Sequence, residues 1–321
     1  MTTDDDLATL PQIYRNVLKV HFDSFIKKST KPTGLPLKKP CYHYTNAQGL
    51  YGILESKSIW LTDIDHMNDP SELKHGLSFA IDYLESLIQA VQNKYERVFF
   101  TVIRTVLTEH ISYRYMFYVA SFSFDADHLN QWRAYADNGR GYCIEVSKDV
   151  FQRQNLNTSK LKPLSVTVMQ YGDSKIKTRQ RKVIKDSLQV LKSTPSPENL
   201  SSDQLTAFMK KLAATCVTNL IVNSIDFKNI AYKTEKEVRL LLIHGSAKAR
   251  QGANIRVTDG TFVPYHTFNL TAGKVGNNFL NSITVGPAAR ADAELALHKL
   301  LRSLNYSGIS IRRSKIPYRG N

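Results

Sequence analysis

The chain has 321 residues, 43 of them Lys or Arg against 28 Asp or Glu, for a formal net charge of +15, and its 42% hydrophobic content supports a substantial core. Three widely spaced cysteines, Cys41, Cys143 and Cys216, fit neither a disulfide framework nor a paired-cysteine metal site. Apolar runs such as LLLI at Leu240–Ile243 fall far below the ~20 residues of a membrane span, and the acidic start MTTDDDLATL lacks the pattern of a secretory signal. A cytoplasmic protein with no membrane partner is expected. The excess of positive charge favours RNA or DNA as partner through counterion release, solubility being the bland alternative.

Helical spacing of Leu10, Ile13, Tyr14, Val17, Leu18 and Phe25 predicts an amphipathic helix from Asp6 to Ser29. The stretch KKSTKPTGLPLKKP, Lys27–Pro40, reads as an irregular basic connector. Beyond it, Tyr42–Tyr44 predicts a short strand, followed by a helix through Leu50, Ile53 and Leu54 that Thr45 or Asn46 can cap, then a strand at Ser58–Thr62. Long helices are expected from Glu72 to about Val91 and from Lys94 to about Tyr113. A strand at Phe117–Phe124, a short helix at Leu129–Ala136 and a strand at Gly141–Val146 after the turn DNGRG come next.

After a strand at Leu164–Tyr171 the sequence turns helical and basic through KIKTRQRKVIKDSLQVLK. STPSPE breaks it before a second helix through Leu205, Phe208, Leu212, Cys216 and Leu220. The C-terminal third reads as strands at Val238–Ile243, Thr261–Leu270 and Ile283–Val285, a helix at Ala288–Leu304 and a last strand at Ile309–Ile311. Helices and strands without a regular βαβ beat indicate an α+β fold. Residues 1–40 form an N-terminal helix and basic linker, and residues 41–321 the main domain, with a helical insertion at about 173–223.

Two polar pairs stand out. His43 and Thr45 share one face of the first strand while Tyr42 and Tyr44 share the other, and Glu235 and Glu237 stand two apart at the mouth of an apolar strand. Neighbouring acids can divide labour because repulsion and burial separate their pKa values, although Lys233, Lys236 and Arg239 can also simply neutralise them. DIDHMNDPSE offers Asp63, Asp65, His66 and Asp69 as oxygen and nitrogen donors, but it does not fit an EF-hand, and Asn68-Asp69-Pro70 reads well as a turn before a helix. No metal site is assigned. Trp132 and Tyr135, three apart on a short helix, share a face and either line a pocket or join the core.

HYT at His43, IWLTDIDHMNDPSE, QWRAYADNGRGYCIEV, KTEKEVRL and a closing ITVGP, in this order, resemble a large bacterial family catalogued as domain of unknown function twenty-nine seventy-one. The resemblance covers roughly Cys41 to Tyr318. That family is similar to the ADP-ribosyltransferases, so the resemblance implies a split β-sheet core with long helices and a cleft for NAD. It implies that Glu237 is catalytic and that Glu235 helps select the acceptor. His43, Tyr44 and Thr45 would sit on the cofactor, with Asn68, Asp69, Trp132 and Tyr135 bordering the same cleft. In that chemistry a carboxylate beside the ribose stabilises an oxocarbenium-like state. The acceptor implied by the basic surface is RNA or DNA, and a bacterial toxin or antiphage effector is compatible with it.

The reading requires His43 and Glu237 to converge on one recess sized for a dinucleotide. Two alternatives compete with it: a non-enzymatic nucleic-acid-binding module on the same fold, and a metal-dependent nuclease or hydrolase built on Asp63, Asp65, His66 and Asp69.

Overall fold

Strand alternation and helical periodicity divide the chain into two bodies, each built around its own kind of element. The computed structural model describes residues 7–29, 37–66, 72–109, 115–152, 156, 164–245, 252–258 and 260–319. The chain is a mixed α+β protein with two compact units, one made of Met1–Lys31, Asn68–Tyr115 and Gln170–Ile230, the other of Pro32–Met67, Met116–Met169 and Ala231–Asn321.

The first unit is helical. It gathers α1 (Gln12–Ser29), α3 (Glu72–Ala90), α4 (Lys94–Glu109), α6 (Asp173–Lys192) and α7 (Ser202–Ile225), with α7 against the other four. Ser201 and Gln204 close a capping box at the start of α7, satisfying two backbone donors that a helix N-terminus leaves open. Leu212, Cys216 and Leu220 of α7 are wholly buried. By length and composition α7 is apolar enough to cross a membrane, yet more than half of its apolar window is enclosed by this unit. Tyr14 fastens α1 by donating to the Ser196 carbonyl at 2.9 Å and by an edge contact with Phe208. Inside, the fully buried Gln180 amide donates to Gly76 O, Leu220 O and Ser224 Oγ, joining α6 to α3 and α7. A two-residue parallel pair, β6 (Gln170–Tyr171) with β7 (Phe227–Lys228), belongs to the same unit.

The second unit holds a ten-stranded mixed sheet. Its main path runs β12 (Ser310–Arg313), β11 (Leu280–Val285), β4 (Tyr142–Val146), β1 (Cys41–Thr45), β3 (Tyr115–Ser123), β2 (Ser58–Asp63), β10 (Thr261–Asn269), β9 (Asn254–Thr258). The strands along it pair antiparallel except β11 with β12. β8 (Glu237–Gly245) pairs with β3 and with β5 (Leu164–Val168) off this path. β3 therefore serves three partners with two edges, and the sheet forks there.

One sheet face makes the main core. Cys41, Leu61, Tyr118, Phe122, Ile144 and Leu240 all point into it, joined by α2 (Ala47–Ser56) through Leu50 and Leu54 and by α8 (Ala293–Ser303) through Leu297 and Leu301. Each such large apolar side chain contributes ~1.5–3 kcal/mol on burial. The other face carries a smaller cluster of Tyr44, Trp132, Ala136 and Cys143, formed against α5 (Leu129–Tyr135). Asn46 caps α2 by accepting from Gly49 N at 2.8 Å. Gly141 ends the DNGRG turn where a β-carbon would collide with the Thr45 carbonyl, so the approach of that turn to β1 requires glycine.

The elements differ from expectation in several places, among them α1, which starts at Gln12 rather than Asp6, and β7, which was not expected. The strand expected at Leu164–Tyr171 breaks at Met169, whose N–H goes to Glu237 O while Gln170 N goes to Asp226 O. The final helix begins at Ala293 rather than Ala288. β9 had no counterpart in the sequence reading.

All three thiols are buried, and burial pushes the Cys41 and Cys216 thiols up to about 12 and Cys143 higher still. The native protein should therefore resist a thiol-directed reagent at mildly alkaline pH and release three equivalents only on unfolding; prompt labelling of any one would contradict this packing.

Candidate functional site

The two strand-mouth acids do not share a strand. Ile230–Glu235 is a 3-10 turn, Lys236 has φ 47, and the strand starts only at Glu237, so alternation does not govern Glu235. A left-handed residue between them swings the two carboxylates into different settings. Glu235 is half-buried, and Tyr135 donates its hydroxyl to Glu235 Oε1 at 3.2 Å. Ser123 Oγ donates to Glu235 O at 2.7 Å and Phe124 N to Lys236 O at 3.1 Å, while Lys236 Nζ reaches Asp125 at 3.0 Å. The turn is thus stitched to the end of β3.

Glu237 is 5% exposed and Arg239 2%. Arg239 grips Glu237 with both arms, Nε to Oε1 at 2.7 Å and a terminal nitrogen to Oε2 at 3.2 Å. Two residues apart on a strand, they share a face, and their charges compensate each other where water cannot.

His43 lies on the other side of the sheet. Val238, Leu240 and Leu242 enter the main core with Cys41 and Phe122, so Glu237 and Arg239 leave β8 on the opposite face. His43 follows Cys41 onto the core side, its ring 5.6 Å from Phe122. The expected convergence of His43 and Glu237 on one recess is therefore not made, because strand parity separates them. His43 Nδ1 is 2.9 Å from the Ser121 carbonyl. A carbonyl only accepts, so the proton is on Nδ1 and Nε2 keeps the lone pair in the neutral ring. Burial lowers the pKa, against the opposing effect of that hydrogen bond, and favours the neutral form. Thr45 shares the His43 side and crowds Gly49 at the start of α2.

The face of Glu237 brings together more of the expected residues. Tyr44 is nearly buried, donates to Asp125 O at 2.9 Å, accepts from His128 N at 3.2 Å and meets Trp132 edge-on at 4.9 Å. Burial drives its pKa above the ordinary range. Trp132 is wholly enclosed, its Nε1 donating to Asp127 at 2.6 Å. It contributes as an anchor, not as a surface a ligand can touch. Tyr42 and Tyr135 flank this cluster, half-buried. Asn68 and Asp69 lie outside the described residues. Asp63 accepts from Asp65 N at 3.0 Å, and no three His, Cys, Asp or Glu side chains among the described residues gather as a metal would require.

Sequence reasoning missed two sets of residues here. Asp127 accepts from Trp132, from Ser314 Oγ at 2.6 Å and from Lys315 N at 3.0 Å, tying the α5 entry to the chain's C-terminal segment. Nothing in the spacing of Asp127 and Ser314, nearly two hundred positions apart, signals it.

The second set lies on the helical unit. α6 carries seven cations against two acids. Lys182 pairs with Asp186, Arg179 with Asp226 and Lys192 with Glu96, whereas Lys175, Lys177, Arg181 and Lys185 have no carboxylate partner among the described residues. Lys177, Arg181 and Lys185 stand four apart and form one ridge. Beside it α3 presents His75, Phe79 and Tyr83 at the same spacing, with Lys177 Nζ 4.8 Å from the Phe79 centroid and the Arg181 guanidinium 5.3 Å from Tyr83. The cations are thus set against half-exposed rings in a ladder between two helices. The signal in sequence was the basic run alone; the aromatics sit about a hundred positions earlier.

Among known proteins, residues 131–240 match a family described as protein of unknown function (DUF2971). That segment covers under half of the chain and runs from α5 through the helices α6 and α7 to the first half of β8, including Trp132, Tyr135, Glu235 and Glu237. No curated protein and no solved structure matches the chain.

Removing the Glu237 charge takes from the buried Arg239 guanidinium the carboxylate that holds it bidentately. Glu237→Gln should therefore lower stability by about 3 kcal/mol, the usual scale for breaking a buried pair. Chemical denaturation monitored by circular dichroism checks it, and a wild-type midpoint would mean that the pair is not a structural element.

Proposed function

We propose that this chain is a nucleic-acid-binding protein and that the α3–α6 face of its helical unit is the contact surface. The observation that carries this is the ladder of Lys177, Arg181 and Lys185 beside Phe79 and Tyr83. Residues four apart on a helix rise ~6 Å, so the ridge extends ~12 Å. Along that length the three cations can each meet a phosphate of a strand laid beside them. Rings next to the ridge suit unpaired bases, which stack on aromatic side chains with little sequence preference. Asp173, four residues before Lys177, pairs with His75 at 3.2 Å and closes the ladder at that end, and Asp82 is an exposed acid on α3. The net charge of +15 supports the same reading by raising the local concentration of polyanions.

The test is fluorescence anisotropy of a labelled mixed-sequence single-stranded RNA, and of its DNA counterpart, over a range of salt. Neutralising Lys177, Arg181 and Lys185 together to Gln should flatten the log–log salt slope by about 2 and weaken binding about tenfold or more at low salt. An unchanged slope in a folded variant would remove the surface from consideration.

A second reading, transfer of ADP-ribose from NAD, draws support from one observation. Glu235 is a half-exposed carboxylate held by Tyr135 at the fork of the sheet, on the side of Tyr42 and Tyr44. On this reading Glu235, and not Glu237, stabilises the oxocarbenium charge, because Arg239 already compensates Glu237. A carboxylate ~4 Å from that charge at an effective dielectric near 20 supplies about 4 kcal/mol, or roughly a thousandfold in rate. His43 then acts only by tying β1 to β3. Nicotinamide release from NAD, with and without RNA, is the assay: Glu235→Gln should cut it by roughly two to three decades, and absence of release by the native protein discards the reading.

A further inference from the structure

The β2–β10–β9 end of the sheet in the second unit carries an aromatic surface that none of the above uses. Trp60 is 46% exposed and projects from the face opposite the main core, because Ile59 and Leu61 on either side of it point inward. Across the strand pair, Tyr265 lies opposite Thr62, and its ring centroid is 4.6 Å from that of Trp60 at 40°. Arg256 from β9 reaches over both, its guanidinium 5.0 Å from the Trp60 ring and 5.9 Å from Tyr265. A hydrogen bond of 3.1 Å from its terminal nitrogen to Thr62 Oγ1 fixes it, while its buried Nε has no hydrogen-bond partner among the described residues. No carboxylate shares this face among the described residues of β2, β9 and β10. The neighbours on it include Ser58, Asn254, Val263 and Thr267.

We propose that Trp60, Tyr265 and Arg256 form a stacking platform for an unpaired nucleobase of an RNA or DNA strand. A flat, open tryptophan with a planar cation beside it offers a π-face to a base and a positive charge to its phosphate. A face whose described β2, β9 and β10 residues offer one cation and no acid suits an anionic ligand over a neutral sugar. A sheet surface with paired aromatics is also how single-stranded RNA is commonly held. The platform takes its ligand class from the nucleic-acid reading, and it predicts a preference for single strands over duplex, in which bases are already stacked.

The chain's own composition supplies the probe. It has two tryptophans, and Trp132 is fully buried, so a ligand-dependent change in tryptophan emission reports Trp60. Titration of the full chain with a mixed-sequence single-stranded RNA should quench emission saturably, and the corresponding duplex should not. The quench should vanish in Trp60→Phe, which keeps a ring, and Trp60→Ala and Arg256→Gln should each weaken single-strand binding about fivefold or more, read by anisotropy. Quenching that persists in Trp60→Phe overturns the platform. So does a strand that binds by anisotropy while emission stays constant, a result that leaves the α3–α6 surface standing. Should no strand bind at all, the α3–α6 reading fails, and titration with AMP decides the platform separately: saturable quenching supports it, and none refutes it. A saturable response to a neutral oligosaccharide but not to AMP overturns it in favour of a sugar site.

Discussion

The two-fold alternation of side chains along β3 is the constraint from which the rest of the second unit follows. Tyr118, Ala120 and Phe122 commit one face to the core, and every strand registered with β3 inherits that choice. Cys41 and His43 fall on the core side, whereas Tyr42, Tyr44, Ser123 and the Glu237–Arg239 pair fall on the other. A slip of one residue would put Arg239 into the hydrocarbon interior, where an unpaired charge is far more costly than any local gain. The register is therefore strongly held, and with it the separation of His43 from Glu237. A polar pair in a strand tells which residues share a face; it does not tell which face is the ligand's.

The same logic accounts for the buried ion pair. The face opposite the core is itself partly enclosed at β8, since Leu241 and Thr167 are almost completely covered. A carboxylate there needs a partner, and an arginine two residues along the strand supplies it bidentately within the same element. Such a pair ties Glu237 to its place but also silences it as a source of field, because at any distance beyond the pair the two charges largely cancel. Glu235, displaced by the left-handed Lys236, lies outside that pair and is half-buried against the Tyr135 hydroxyl.

Much of the architecture was readable from periodicity. The strands at Cys41–Thr45, Ser58–Asp63, Tyr142–Val146 and Glu237–Gly245 and the helices at Glu72–Ala90 and Lys94–Glu109 stand within a few residues of expectation. Their apolar spacing is strong and their ends carry capping or turn residues. β9 was not readable, because Ile255 and Val257, its apolar residues, are 57% and 70% exposed and Arg256 packs on rings instead of facing water. Pattern reasoning assumes apolar residues point inward, and here they do not. The grouping of α1, α3, α4, α6 and α7 into one body was equally hidden, since contacts such as Tyr14 with Ser196 or Gln180 with Gly76 bridge a hundred or more positions. Tyr44, Trp132, Tyr135 and Glu235, expected by residue type and motif, lie on one face of the sheet. Their arrangement was decided by Asp127, Ser123 and Lys236, whose roles depend on partners distant in sequence.

Electrostatic range explains why a global charge of +15 and a local ridge play different parts. At physiological ionic strength the Debye length is ~8 Å, shorter than the ~12 Å ridge of Lys177, Arg181 and Lys185. On the proposed reading, cations elsewhere on the chain would be screened from a phosphate seated there, so they would speed encounter without adding much to the bound state. Within the ridge, screening is weaker at close contact, and the rings of Phe79 and Tyr83 limit the freedom of the cations above them. Side chains already held lose less entropy when a phosphate arrives than freely rotating lysines do. A solvated charge run and the proposed contact surface can share one composition; what sets α6 apart is that Lys177 and Arg181 are placed over the rings of Phe79 and Tyr83.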